Sequence, residues 1–136
     1  MKRILLVEDD EMIAVMLSKA ISSWGYEALH ATGSQEALRI ANRCQDGIFM
    51  VICDMVLRDG NGPAVAAAVR TWCPQSLTLF TSGYPLDILA ERGLLTTGYA
   101  KAEFLQKPFL PRDLREMIDA AENVADAKTV FAGGAQ

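Results

Sequence analysis

The stretch Ile48 to Asp54, IFMVICD, puts six apolar residues in a row and closes them with a carboxylate. An unbroken apolar run of this length fits a strand of a parallel sheet covered on both faces. A carboxylate directly at its end is costly to bury unpaired, so Asp54 belongs where something compensates its charge. The same design recurs on either side. Arg3 to Val7 (RILLV) closes on Glu8-Asp9-Asp10, Ser76 to Thr81 (SLTLFT) on Ser82-Gly83, and Glu103 to Gln106 (EFLQ) on Lys107-Pro108. Tyr26 to His30 (YEALH) is a further, weaker strand between the first two.

Helical periods separate these runs. Glu11 to Trp24 places Ile13, Met16, Leu17, Ala20, Ile21 and Trp24 on one stripe, with Gly25 as a C-terminal stop. Ser34 to Gln45 repeats the pattern with Ala37, Leu38 and Ala41, and Ser34 is a candidate cap. Pro63 to Trp72 carries proline in its first turn. Pro85 to Arg92 is short. Pro111 to Ala125 aligns Leu114, Met117, Ile118, Ala121 and Val124. Five strands alternating with five helices predict a (βα)5 doubly wound α/β domain over residues 1–125, with 126–136 as a frayed tail.

Bulk composition agrees with one soluble domain. The chain has 136 residues, 51% hydrophobic and 22% charged, which suits a single core and excludes disorder. A net charge of −4 leaves no basic stripe for nucleic acid. No apolar run is long enough for a membrane span, and Glu8 to Asp10 cut the first one too short for a signal peptide. Three cysteines, Cys44, Cys53 and Cys73, in no metal-ligand spacing, and a lone His30 suggest neither a disulfide scaffold nor a His-based metal site. These features place the chain in the cytoplasm.

In doubly wound sheets, ligands bind at the carboxyl ends of the strands. Glu8, Asp9 and Asp54 should therefore meet Thr81 and Lys107 at one edge. Clustered carboxylates raise one another's pKa unless a cation joins them. A hard divalent ion is the natural partner, and magnesium keeps positions open for water or phosphate. An acidic metal site, a hydroxyl and an ammonium suit phosphoryl transfer, which runs on positioning and electrostatic stabilisation. Asp54 would be the nucleophile. Asp10 and Glu11 are better read as charges at the start of the first helix.

The segments LLVEDDE, VICDMVLRDGNG, TSGY and FLQKPF, in this order and each at a strand end, resemble response-regulator receiver domains over about the first 125 residues. The resemblance implies a flavodoxin-like fold, its five-stranded sheet in order 2-1-3-4-5 with helices on both faces. It implies that Glu8 and Asp9 bind Mg2+ directly or through water, that Asp54 is phosphorylated, and that Val56 lends its backbone carbonyl to the metal. Thr81 matches the switch hydroxyl, Phe104 the aromatic that turns with it, and Lys107 the lysine before a commonly cis proline. The implied partners are a histidine kinase or a histidine phosphotransfer protein, and a downstream protein bound through the fourth helix, fifth strand and fifth helix; a homodimer is also open. Phe104 could equally be plain core, and Ser82 either a second phosphate donor or a small residue that fits beside the site.

Three departures stand out. Arg58 occupies the place where the family usually has proline, which should loosen the loop or add charge near the phosphate. The stretch from Thr81 to Lys107 is longer than usual, with the extra length expected in Gly93 to Lys101. Leu110 replaces a capping Ser or Thr before Pro111. The segment Gly83 to Ala100 is expected to be the part most readily remodelled. An aspartate-nucleophile phosphohydrolase is the competing enzyme reading, but it needs a second acid two residues after the nucleophile, where Val56 stands. A phosphorylation-independent interaction module would not need the full acid, hydroxyl and lysine set, and a flavin-binding protein would need a Ser/Thr/Gly phosphate cradle in place of the acidic first loop.

Overall fold

The computed structural model describes residues 1–94 and 103–134. Strands β1 (Arg3–Val7), β2 (Glu27–Ala31), β3 (Met50–Asp54), β6 (Leu77–Ser82) and β7 (Glu103–Gln106) form one parallel sheet in the order β2-β1-β3-β6-β7. Counted by sheet strands alone this is the expected 2-1-3-4-5. The numbering differs because two short strands, β4 (Val56–Leu57) and β5 (Gly60–Asn61), pair as a separate antiparallel hairpin directly after Asp54. The sequence reading did not anticipate that hairpin.

Alternation along each strand divides the core in two. Leu5, Val7, Val51 and Cys53 point to one face, where α2 (Ser34–Arg43), α3 (Gly62–Trp72) and α4 (Leu86–Glu91) contribute Ala37, Val65, Val69 and Leu89. Ile4, Leu6, Met50 and Ile52 point to the other, against Ala14 and Leu17 of α1 (Glu11–Ser23) and Leu114 and Ile118 of α5 (Pro111–Gly134). Both faces of the central strands are thus covered by helices, which is why those strands read as continuous apolar runs. Cys53 is buried in this core and its thiol pKa is pushed up chiefly by that burial, so it stays a small apolar residue.

Several expectations shift. In α1 the inward row is Ala14, Leu17 and Ile21, and Met16 is exposed. The Ser34 side chain does not cap α2: Gly33 is the N-cap and the helix's first N–H groups donate to Asp59, 25 residues away for Ser34. Pro85 precedes α4 as its N-cap rather than opening it. Helix α5 continues to Gly134, past the expected end at Ala125. The segment 95–102, which holds most of the expected extra length, lies outside the described residues. Among the described residues no helix is long and apolar enough to cross a membrane.

Candidate functional site

Parallel register carries the strand ends to a common edge. β1 and β3 flank one another with Val7 opposite Cys53, and Asp54 is opposite Thr81 on β6. The backbone then locks the corner: Met55 donates its N–H to the Thr81 carbonyl at 2.8 Å, and Glu8 donates to the Ala31 carbonyl at 3.0 Å. Lys107, just past β7, donates its N–H to the Ser82 carbonyl at 2.7 Å, and the Lys107-Pro108 peptide is cis.

These elements bring Glu8, Asp9, Asp54, Thr81 and Lys107 together. The Lys107 ammonium donates to Glu8 Oε1 at 2.7 Å and to Asp54 Oδ2 at 3.0 Å. With two carboxylates against it, Lys107 has its pKa raised: burial alone would lower it, but the bonds to Glu8 and then Asp54 prevail. Glu8 has one ammonium beside it and is almost fully buried; burial raises its pKa more than Lys107 lowers it, and Asp54 adds repulsion. The lysine is therefore firmly charged while the Glu8 carboxylate is held at a cost.

The same corner fits a divalent cation. Ligand oxygens of Glu8, Asp9 and Asp54 lie within 4.8 Å of one another. Glu8 Oε2 is buried with no hydrogen-bond partner, an orphaned acceptor whose cost a cation would remove. An all-oxygen anionic set selects a hard ion such as Mg2+ over a soft one.

The remaining predicted residues fall around this centre. Thr81 is buried beside Asp54. Val56 opens the hairpin with its side chain packed against the core. Phe104 is half-buried, opposite Phe80 in the register, and packs against the same core. Ser82 is fully buried and its Oγ accepts from the Tyr84 N–H at 2.9 Å, a turn-holding role that favours the reading of a small residue that fits. Asp10 caps α1, accepting from Met12 and Ile13 N–H groups at 3.0 and 3.2 Å. The α5 start, expected to lack a side-chain cap, has Asp113 reaching back to accept from the Leu110 N–H at 2.9 Å.

Three features, at His30, Asp59 and Gly62, escaped sequence reading, and a fourth, at Arg58, was foreseen only as added charge. His30 Nε2 lies 3.0 Å from the Glu8 carbonyl, bracing the strand end behind the acids. The Arg58 guanidinium is 3.8 Å from Asp9 Oδ2. Asp59 accepts from Ser34 N–H at 2.7 Å and Gln35 N–H at 3.1 Å, which hold its carboxyl below the usual carboxylate range. Gly62 lies so close behind Asp54 that an added Cβ would stand 2.8 Å from the Asp54 carbonyl oxygen. The turn-rich DGNG run after an apolar pair was the available signal for the hairpin. Of the two effects expected of Arg58, the structure shows the added charge near the acidic cluster, and the loop itself is held by the hairpin and the Asp59 bonds.

Comparison with known proteins gives a consistent result. The sequence profile described as response regulator receiver domain matches residues 4–119. Sensor kinase CckA of Brucella abortus (strain 2308) is 31% identical over 120 residues, covering 85% of this chain and 12% of that protein. Response regulator receiver protein CpdR of the same organism is 30% identical over 120 residues, covering 88% of this chain and 95% of that protein. Several curated transcriptional regulators also match, and the chain spans between 26% and 48% of the length of two of them. Among solved structures, a CheY-like response regulator receiver domain protein from Methanospirillum hungatei JF-1 superposes with a TM-score of 0.80 at 25% identity, covering 94% of this chain and 98% of that one.

Proposed function

The chain belongs to the response-regulator receiver domain family, and on that premise we propose that it is a cytoplasmic phosphoacceptor that takes a phosphoryl group onto Asp54. The observation that carries this reading is the Lys107 ammonium shared between Asp54 and the buried Glu8, with a third carboxylate, Asp9, in reach. The phosphodonor is a histidine kinase or a histidine phosphotransfer protein. An Asp54 carboxylate oxygen bonds to phosphorus as the donor's P–N bond breaks, and the bonding pair returns to the imidazole nitrogen, which takes a proton. The product is an acyl phosphate.

Each neighbour has a task in that step. Glu8, Asp9, Asp54 and the Val56 carbonyl would hold Mg2+. That ion supplies charge neutralisation for the phosphoryl oxygens. Lys107 transfers its hydrogen bond from Asp54 to a phosphoryl oxygen, and the Thr81 hydroxyl donates to another. Movement of Thr81 frees space for Phe104 to turn, which couples the site to a protein-binding face formed by α4, β7 and α5. With Val56 where a hydrolase would place its second acid, the chain catalyses only its own phosphorylation and dephosphorylation.

The test is incubation with acetyl phosphate and Mg2+, read by intact mass. The expected product carries one phosphoryl group, lost on treatment with base or hydroxylamine. Asp54→Asn keeps the shape and removes the nucleophile, so its adduct should vanish while the fold remains. An undiminished adduct in that variant would reject Asp54 as the acceptor.

A further inference from the structure

We propose that Arg58 is a counter-ion to Asp9 that competes with a divalent cation for this carboxylate and thereby weakens metal uptake at the phosphoacceptor site. The proposal rests on the metal reading of Glu8, Asp9 and Asp54 given above. An open cleft of about 600 Å³ adjoins that site, and Arg58 lines it together with Asp9, Asp10, Glu11 and Asp59. Two of these carboxylates are already engaged by backbone N–H groups, Asp10 by the start of α1 and Asp59 by the start of α2. The Arg58 charge falls on Asp9, with Nε 3.8 Å from Oδ2.

The backbone keeps Arg58 there. Residues 58 and 59 form the tip between Leu57 and Gly60, which pair across the hairpin. The Asp59 bonds tie this tip to α2, and the contact is so close that a Cβ on Gly33 would meet Asp59 Oδ1 at 2.8 Å. The side chain itself is 85% exposed, and at 3.8 Å the pair is electrostatic rather than hydrogen-bonded. Such a pair is weak, so a divalent ion can displace it. The outcome is a modest and salt-sensitive penalty on metal binding, not a block.

Titration calorimetry of Mg2+ into the full chain at low ionic strength tests this, after melts without metal confirm that each variant folds. Arg58→Ala and Arg58→Gln should each bind Mg2+ about two- to fivefold more tightly than wild type. Arg58→Lys, which keeps the charge, should stay near wild type. In about 1 M KCl, where the screening length falls to about 3 Å, the difference should close. Equal or weaker binding by both neutral variants overturns the proposal, and so does tight binding by the lysine variant. Absence of Mg2+ binding in every protein would overturn the metal reading and this proposal together; binding with equal constants overturns this one alone.

Discussion

The two flanks of Asp54 are built differently. On the β2 side, the hairpin after Asp54 is tied to α2 through Asp59, closes by strand pairing, and leans Arg58 toward Asp9. On the β7 side, α4 is six residues long with Leu89 its one buried side chain, and it has no side-chain N-cap. Tyr84 and Leu86 are exposed there, and the Arg92 guanidinium sits over the Tyr84 ring at 4.5 Å. The Asp59 bonds join residues 24 and 25 apart in sequence, while the side-chain contacts made at Tyr84, to Ser82 and to Arg92, are local. A long-range tie removes more freedom from the chain than a local one. A switch of the kind proposed needs one fixed side to hold its ligands and one side that yields, and this asymmetry is the arrangement such a switch would use.

The comparison is most severely broken by removing the fit on the fixed side. Gly62 begins α3, donates its N–H to the Met55 carbonyl at 2.9 Å, and has no room for a side chain: an added Cβ would lie 2.8 Å from the Asp54 carbonyl oxygen and 3.1 Å from Phe80 Cδ1. The atom it meets is backbone, which cannot swing aside. Gly62→Ala should cost about 1–3 kcal/mol in denaturant unfolding and displace the Asp54 main chain. A melt unchanged from wild type would mean that the backbone behind Asp54 is less rigid than these contacts imply.

A smaller effect, of opposite sign, is expected at Glu8. Its pKa is raised by burial, so the native state keeps this proton to higher pH than the unfolded chain does. Stability from this group is therefore complete below the ordinary value of 4.5 and declines as pH rises through the native value. Glu8→Gln removes that decline. Without divalent ions it should melt a few degrees above wild type at neutral pH, with the gap closing toward pH 4, and the gain should be lost when Mg2+ is added. The comparison must be made between the two proteins at each pH, because Glu36 and Glu122, whose pKa values are lowered, lose stability as pH falls.

Much of this was legible in the residues, for identifiable reasons. A strand covered on both faces writes itself as an apolar run, and the charged residue that stops it marks the sheet edge; this is how Glu8, Asp54 and Lys107 could be placed together. The inner face of α1 was read nearly right: Leu17 and Ile21 are buried and Ile13 and Trp24 pack against the same core, but Met16 is exposed and Ala14 takes an inward place that the apolar period alone did not single out. The end of α5 was missed because residues 125–131 contain good helix formers and no stop before Gly133-Gly134. The Asp59 cap had no local signature at all: the donor helix and the acceptor are separated by two strands, β3 and β4, and Ser34 offered a plausible cap of its own.

The finest test sets the two flanks directly against each other. Tyr84→Ala removes the ring beneath Arg92 and leaves the Tyr84 N–H bond to Ser82 Oγ in place, since that bond is made by the main chain. A cation over an exposed ring contributes about 0.5–1 kcal/mol, and Tyr84 is 40% exposed, so the loss should stay within that range. Asp59→Ala removes a carboxylate shared by two helix N–H groups across 24 and 25 residues of chain, and those donors lose their side-chain acceptor. Its melting temperature should fall further than that of Tyr84→Ala. A neutral Asp59→Ala beside a costly Tyr84→Ala would invert the assignment of fixed and yielding sides, because the local contact would then hold more of the edge than the long-range one.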